Sequence, residues 1–420
     1  MNNAALTDEI EILAIDEDPN ASVFWEIFAN EFFPKSKVTT SNAGYDALEC
    51  IQNKQGRFDV LLCSWELRGL SGYIFMQKAR ENSKYRHTPF VMFSHLLTQE
   101  ATTLLTEFGI NHCFVKPYNK DAIAQKIKDL ILFEKNLDSN QKLMRKVQEY
   151  LDEGKPTEAL KFVSELAKIK SGPHLHGSLL LQGEVWLRVE KLPQAEQAFR
   201  EAQKLNPTDQ STLQGIAKVM LKTGLETEAI AILEKLQKDS PKSLTRMLTL
   251  GDAYMGAGQI NNAEMLFKEM QKFDAENREA QEGLGKVAFS QGQLEIAAKL
   301  FKESGKGEQV ARWLNNIGIA KVKNGNHNDA IEIYKNASVV LPNDEKTKLI
   351  DYNIALAFYK SNRLADAVQA FASALEKDGQ YEKAKVALLS SIKEARQKQI
   401  KLPNESRLKY LLGKEFPEAS

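Results

Sequence analysis

Residues 58–72 read FDVLLCSWELRGLSG. A short apolar run ended by a cluster of turn-forming residues is the pattern of a strand buried on both faces. Similar runs recur around it: EILAID at 11–16, KVTT at 37–40, PFVMFS at 89–94 and HCFVKP at 112–117, each followed by a segment of helical length. Strands alternating with helices imply a doubly wound α/β layer, a five-stranded parallel sheet covered on both faces. In such sheets the chemistry gathers beyond the carboxyl ends of the strands. The residues at those ends are Asp16 and Glu17, Ser64, Ser94 and Lys116.

At 420 residues the chain exceeds one ordinary core, so two or three domains are expected. An apolar fraction of 43%, with 27% charged residues and only 12 prolines, describes a chain that folds throughout. Its 56 basic residues balance 56 acidic ones, so no global field favours nucleic acid or an anionic membrane. The opening MNNAALTDEIEIL lacks the basic flank and apolar run of a signal peptide, and no uninterrupted apolar stretch reaches membrane-spanning length. A cytoplasmic protein without membrane insertion is the expectation. Cys50, Cys63 and Cys113 show no CxxC spacing, which predicts buried free thiols rather than a metal site or disulfide.

Five features then combine over 8–133: the acidic pair in AIDEDPN, NAGYDAL before the second helix, SWELRGLSG, the hydroxyl in VMFSH, and VKPY. Together they resemble the receiver domain of bacterial response regulators. The resemblance implies that Asp16 and Glu17 match the acidic pair that helps bind Mg²⁺, and that Ser94 and Lys116 match the groups that contact the phosphate. It also places Ser64 where the family's aspartate accepts a phosphoryl group from a histidine kinase. Attack on phosphohistidine needs an acceptor that is anionic at neutral pH; a carboxylate is, whereas a serine needs a base to activate it. Losing one hard oxygen anion also leaves Asp16 and Glu17 a weak Mg²⁺ site or none. Arg68 stands where the family commonly has proline, and Cys113 replaces its phosphorylation-reporting aromatic residue. The expectation is a pseudo-receiver. Two other readings stay open: a fold kept for packing, with Asp16, Glu17 and Lys116 as a self-satisfied ion cluster, and a serine phosphosite at Ser64, which no flanking residue supports.

Beyond residue 139, small residues recur in pairs of fixed spacing: Gly183/Ala195, Ala217/Ala229, Gly251/Ala263, Gly285/Ala297, Gly318/Ala330 and Ala355/Ala367. Large residues follow four positions later, at Phe199, Leu233, Phe267, Phe301, Tyr334 and Phe371, as knobs reaching toward the next unit. Gly224, Gly258, Gly292 and Gly325 end first helices, while Pro207, Pro241 and Pro342 close second ones. The period of roughly 34 residues is that of tetratricopeptide repeats, which the pattern resembles across 176–381. A linker helix and degenerate unit fill 134–175 around Gly154 and Ala159. A helix at 381–397 opens a capping segment, 382–420, at the far end of an all-α superhelical solenoid.

The first helix of each unit would line a concave groove. Its outward positions carry Arg188, Lys218, Lys222, Lys286, Arg312, Asn315, Tyr352 and Tyr359, a mixture suited to holding a peptide or partner helix. The competing reading for each is a solvated face. The sequence therefore predicts a non-enzymatic adaptor in two-component signalling that needs no cofactor and binds a histidine kinase, a response regulator or a downstream effector. The alternative is a phosphatase-like modulator of a partner response regulator, whose catalytic residue the sequence does not single out.

Overall fold

The computed structural model describes residues 9–341 and 348–417. Pro342, expected to close a helix, lies outside the described residues. Five strands form one parallel sheet in the order β2-β1-β3-β4-β5: β1 (Glu11–Ile15), β2 (Lys37–Ser41), β3 (Val60–Ser64), β4 (Phe90–Ser94) and β5 (Cys113–Val115). The crossovers are α1 (Ala21–Phe32), α2 (Gly44–Asn53), α3 (Gly72–Glu81) and α4 (Gln99–Glu107), and α5 (Lys120–Lys135) follows the last strand. β3 and β4 are buried at every residue, as a central strand covered on both faces requires. Cys63 is buried, whereas Cys50 and Cys113 are only half-buried; all three thiols are free.

Helix pairs follow. The degenerate unit is α6 (Ser139–Asp152) against a broken second helix, α7 (Pro156–Leu160) and α8 (Val163–Leu166). Three regular pairs come next: α9 (Leu175–Arg188) with α10 (Leu192–Leu205), α11 (Gln210–Thr223) with α12 (Glu226–Asp239), and α13 (Leu244–Gly256) with α14 (Ile260–Phe273). The remaining pairs are α15 (Arg278–Ser290) with α16 (Leu294–Ser304), α17 (Gly307–Lys323) with α18 (His327–Val340), and α19 (Lys348–Lys360) with α20 (Leu364–Lys377). After them come α21 (Glu382–Gln397) and α22 (Glu405–Leu412).

The knobs do more than reach the next unit. A Cβ on Gly183 would lie 2.6 Å from the Phe199 ring of its own unit, and one on Gly215 in the next unit would lie 2.5 Å from the same ring. Gly251 meets Phe267, Gly285 meets Phe301 and Gly318 meets Tyr334 in the same way. Where the knob is Leu233, alanine at 217 suffices; Ala355 with Phe371 is the exception. Glycine thus makes room for a ring, a close-packing requirement and not a helix preference.

The chain divides into two compact units, 1–275 and 276–420. The sheet domain expected over 8–133 and the first helix pairs fall within the first of these units. Its internal contacts explain why. Gln77 on α3 is fully buried; its Nε2 donates to the Lys242 carbonyl at 2.9 Å, and its Oε1 accepts from the Leu244 amide at 2.8 Å. Glu107, at the end of α4, accepts from Ser243 Oγ at 2.9 Å and pairs with Arg246, whose side chain is fully buried. Lys78 pairs with the buried Asp274 at 2.7 Å, and Tyr45 donates to the same carboxylate at 3.1 Å.

Candidate functional site

Two close backbone approaches shape the loop after β3. A Cβ on Gly72 would lie 1.8 Å from the Ser64 carbonyl oxygen, and one on Gly44 would lie 2.0 Å from that of Leu70. Glycine at both positions folds the loop down over the strand end. Ser64 is fully buried beneath it. Asp16 directly follows β1, and Lys116 Nζ reaches its two carboxylate oxygens at 3.0 and 3.2 Å while donating to Ser64 Oγ at 3.3 Å. Lys116 is joined to Pro117 by a cis peptide bond.

The structure thus brings Asp16, Ser64 and Lys116 together. Ser94 is turned to a different partner: its hydroxyl donates to Glu66 Oε1 at 3.1 Å and to the Leu96 carbonyl at 2.8 Å. Glu17, next to Asp16, is only half-buried. Burial pushes the Cys63 thiol well above its ordinary value, with Asp16 adding to the push and Lys116 opposing it. Cys113 is pushed up to about 11 by burial and by the nearby Glu66 carboxylate. Glu66 is the residue that sequence reasoning missed. Its other oxygen, Oε2, is buried without a hydrogen-bond partner among the described residues. The only signal was an acid two places after the strand end.

The Mg²⁺ implied by the resemblance does not fit this donor set. Both Asp16 oxygens are engaged by Lys116, and position 64 offers a neutral hydroxyl. Among the described residues no group of three His, Cys, Asp or Glu side chains is placed to hold a metal.

The strand-end loop is also tied to the helices. Trp65 packs on Tyr73 with ring centroids 5.1 Å apart, and Lys242 Nζ lies 5.9 Å from the Trp65 centroid and 5.1 Å from that of Tyr73. Tyr73 in turn meets Phe273 edge-on at 6.3 Å.

The proposed groove residues divide. Arg188 is exposed and Lys218 half-buried, and both line a cavity with Gln214. Lys222 is exposed, 3.8 Å from Glu190. Lys286 must be corrected: its side chain is only 10% exposed and pairs with Glu282 one turn away at 2.9 Å, so it does not project from the helix face. Tyr352 is also turned inward, packed between Phe371 at 5.6 Å and Tyr381 at 5.3 Å. Arg312 projects to solvent beside Glu308, Asn315 bonds to Asn353, and Tyr359 donates to Glu394. A residue one helical position from an outward site is readily drawn into packing by a neighbouring aromatic or acid.

Two family models match. That of the response regulator receiver domain covers residues 12–128, and that of the tetratricopeptide repeat protein 21 C-terminal ARM domain covers 194–393. The chemotaxis protein CheY of Pseudomonas aeruginosa is 24% identical over 75 residues, 18% of this chain and 60% of that protein. CheY-3 of Vibrio cholerae is 24% identical over 74 residues, 18% of this chain and 57% of its own length. The chain therefore spans less than two thirds of the curated relatives it matches. Among solved structures, a tetratricopeptide repeat protein from Parabacteroides merdae covers 60% of this chain and 99% of its own at 15% identity and a TM-score of 0.39. CheY4 of Vibrio cholerae covers 29% of this chain and 99% of its own at 22% identity and a TM-score of 0.27. The chain carries a receiver-type five-stranded sheet followed by tetratricopeptide- and armadillo-like helical repeats.

Proposed function

We propose that the protein is a non-enzymatic, cytoplasmic adaptor in two-component signalling, a pseudo-receiver that works by recognition without aspartyl phosphorylation and without a cofactor. One observation carries the reading. The groups that the resemblance assigns to phosphate are satisfied by the chain's own carboxylates, Lys116 by Asp16 and Ser94 by Glu66, around a buried hydroxyl at Ser64. The Ser64 hydroxyl meets Lys116, which is itself held by Asp16, and is buried from solvent, whereas an aspartate there would be a nucleophile without activation. The helical repeats supply the binding output, with Arg188, Lys218 and Lys222 facing an acidic or amphipathic partner: a histidine kinase, a response regulator or a downstream effector.

Incubation with acetyl phosphate and Mg²⁺, followed by intact-mass measurement, tests the first half. No mass gain is expected, and a stable phosphoryl adduct that vanished in Ser64→Ala would overturn the pseudo-receiver reading. For the second half, the full chain carrying Lys218→Glu and Lys222→Glu should lose partner capture while Ser64→Ala keeps it. Surface reversals usually change stability by less than about 0.5 kcal/mol, and because Lys218 is half-buried an unchanged melting temperature of the variant is the control that makes a binding loss report the surface.

A further inference from the structure

The repeat register tells which face of the first helices meets the sheet domain. Gly183, Ala217 and Gly251 pack toward the knobs of their own second helices. Six positions before them stand Gly177, Ser211 and Thr245; three before the first two stand Leu180 and Gln214, and one after these two stand Glu184 and Lys218. Residues at such spacing share one helix face, here the face turned toward the groove. All seven line a single cavity of about 820 Å³, whose opposite wall is built from Arg80, Arg86, His87, Glu107 and Phe108 of the sheet domain. The cover tightens along the array: Arg188 on α9 is exposed, Gln214 on α11 is only 6% exposed, and Arg246 on α13 is fully buried.

At α13 the sheet domain supplies what the repeat itself lacks. Ser243, the N-cap residue of α13, makes no side-chain capping bond and donates its hydroxyl to Glu107. The first amide of the helix, that of Leu244, is met instead by Gln77 Oε1. A free helix start leaves such amides without an intrahelical partner, so Gln77 acts as a cap lent by another domain. The bonds across this seam come from polar side chains, Gln77, Lys78 and Glu107, and Arg246 Nε is buried there with no hydrogen-bond partner among the described residues. Polar contacts between domains resemble those of transient complexes, and an unmet buried donor makes closure costly. We infer that the sheet domain is a built-in occupant of the groove of the first repeats, an autoinhibitory closure: its α3–α4 side covers the groove face at α13, and a partner protein gains that face only when the seam at Gln77, Lys78 and Glu107 opens. What the groove binds rests on the adaptor reading; the closure does not.

Arg246 is the reporter, because its guanidinium is sealed while the seam is shut. The full chain is treated with phenylglyoxal, which modifies accessible arginines, and the modified positions are found by peptide mass. In the wild type Arg246 should react at least tenfold more slowly than Arg312, whose side chain is 69% exposed. Gln77→Ala and Lys78→Met, both on the sheet-domain side of the seam, should each speed Arg246 at least tenfold and leave Arg312 unchanged. Hydrogen exchange on the same variants should show the amides of α13 from Met247 to Tyr254 still protected, as lifting a cover requires. Arg246 unreactive in both variants overturns the closure. Loss of α13 protection or of cooperative melting in both overturns it too, since a gate must open without unfolding. Partner capture that survives the Lys218, Lys222 reversal would count against the adaptor reading alone, because arginine modification needs no partner.

Discussion

Arg246 is held by partners from three segments of the chain. It is fully buried, pairs with Glu107, and donates to Gln210 Oε1 at 2.7 Å and to the Leu236 carbonyl. Removing one partner of a buried ion pair strands the other, so Arg246→Ala is expected to cost about 3–5 kcal/mol, read as a lowered denaturation midpoint. His87 sets a pH dependence of known sign. Its folded value lies near 4, below the ordinary 6.5, so the unfolded chain binds the proton first. Its contribution is complete above pH 6.5 and is lost as the pH falls toward 4. Urea midpoints measured across that window should fall with pH, and His87→Leu should flatten the slope. The sequence made Asp16, Ser64 and Lys116 legible because strand ends converge in this topology. It did not reveal Glu66, Gln77 or Arg246, whose partners Ser94, Leu244 and Glu107 lie 28, 167 and 139 residues away. No local pattern encodes such a pairing.

The helix pairs were legible at the level of single elements because their packing repeats. Each small residue and each ring recurs at fixed spacing, and the structure explains the glycines as seats for rings. Phe267 is fully buried against Gly251, so Phe267→Ala should cost about 3–5 kcal/mol by the cavity it leaves, measurable by thermal or chemical unfolding. The left-handed turn after the first helix is taken by Gly224, Gly258, Gly292 and Gly325, but by Glu190 and Asn362 in two units. Asparagine tolerates that conformation; glutamate does not gain from it. Glu190→Gly, at φ 58°, should therefore raise stability by up to about 1 kcal/mol, seen as a higher melting temperature. The end of the chain was less legible. α22 buries Leu408 and Leu412, and Arg407 grips Glu376 on α20 at 2.6 and 2.5 Å. Such a short, unrepeated helix carries no periodic signal of its own.

At the scale of the molecule, the change from alternating strands and helices to repeats marks 133 in the sequence, and the first compact unit, 1–275, holds the sheet together with the first helix pairs. Buried polar contacts from Gln77, Lys78 and Glu107 to the α12–α13 turn and Asp274 make that union, and composition is blind to them. Hydrogen exchange after Arg246→Ala should therefore quicken in α3 and α4 as well as in α13; protection unchanged in the sheet domain would mean that the two parts open independently. The same contacts carry a consequence for covalent continuity. Their polar groups are held in register by a tether that leaves α5 at Lys135 and enters α6 at Ser139. Such a short tether supplies an effective concentration on the order of millimolar, so the two faces need only feeble intrinsic affinity to stay seated. Cut the backbone between those helices and dilute it to micromolar, and the halves should drift apart, taking with them the Trp65–Lys242 stack that couples the Ser64 loop to the repeats.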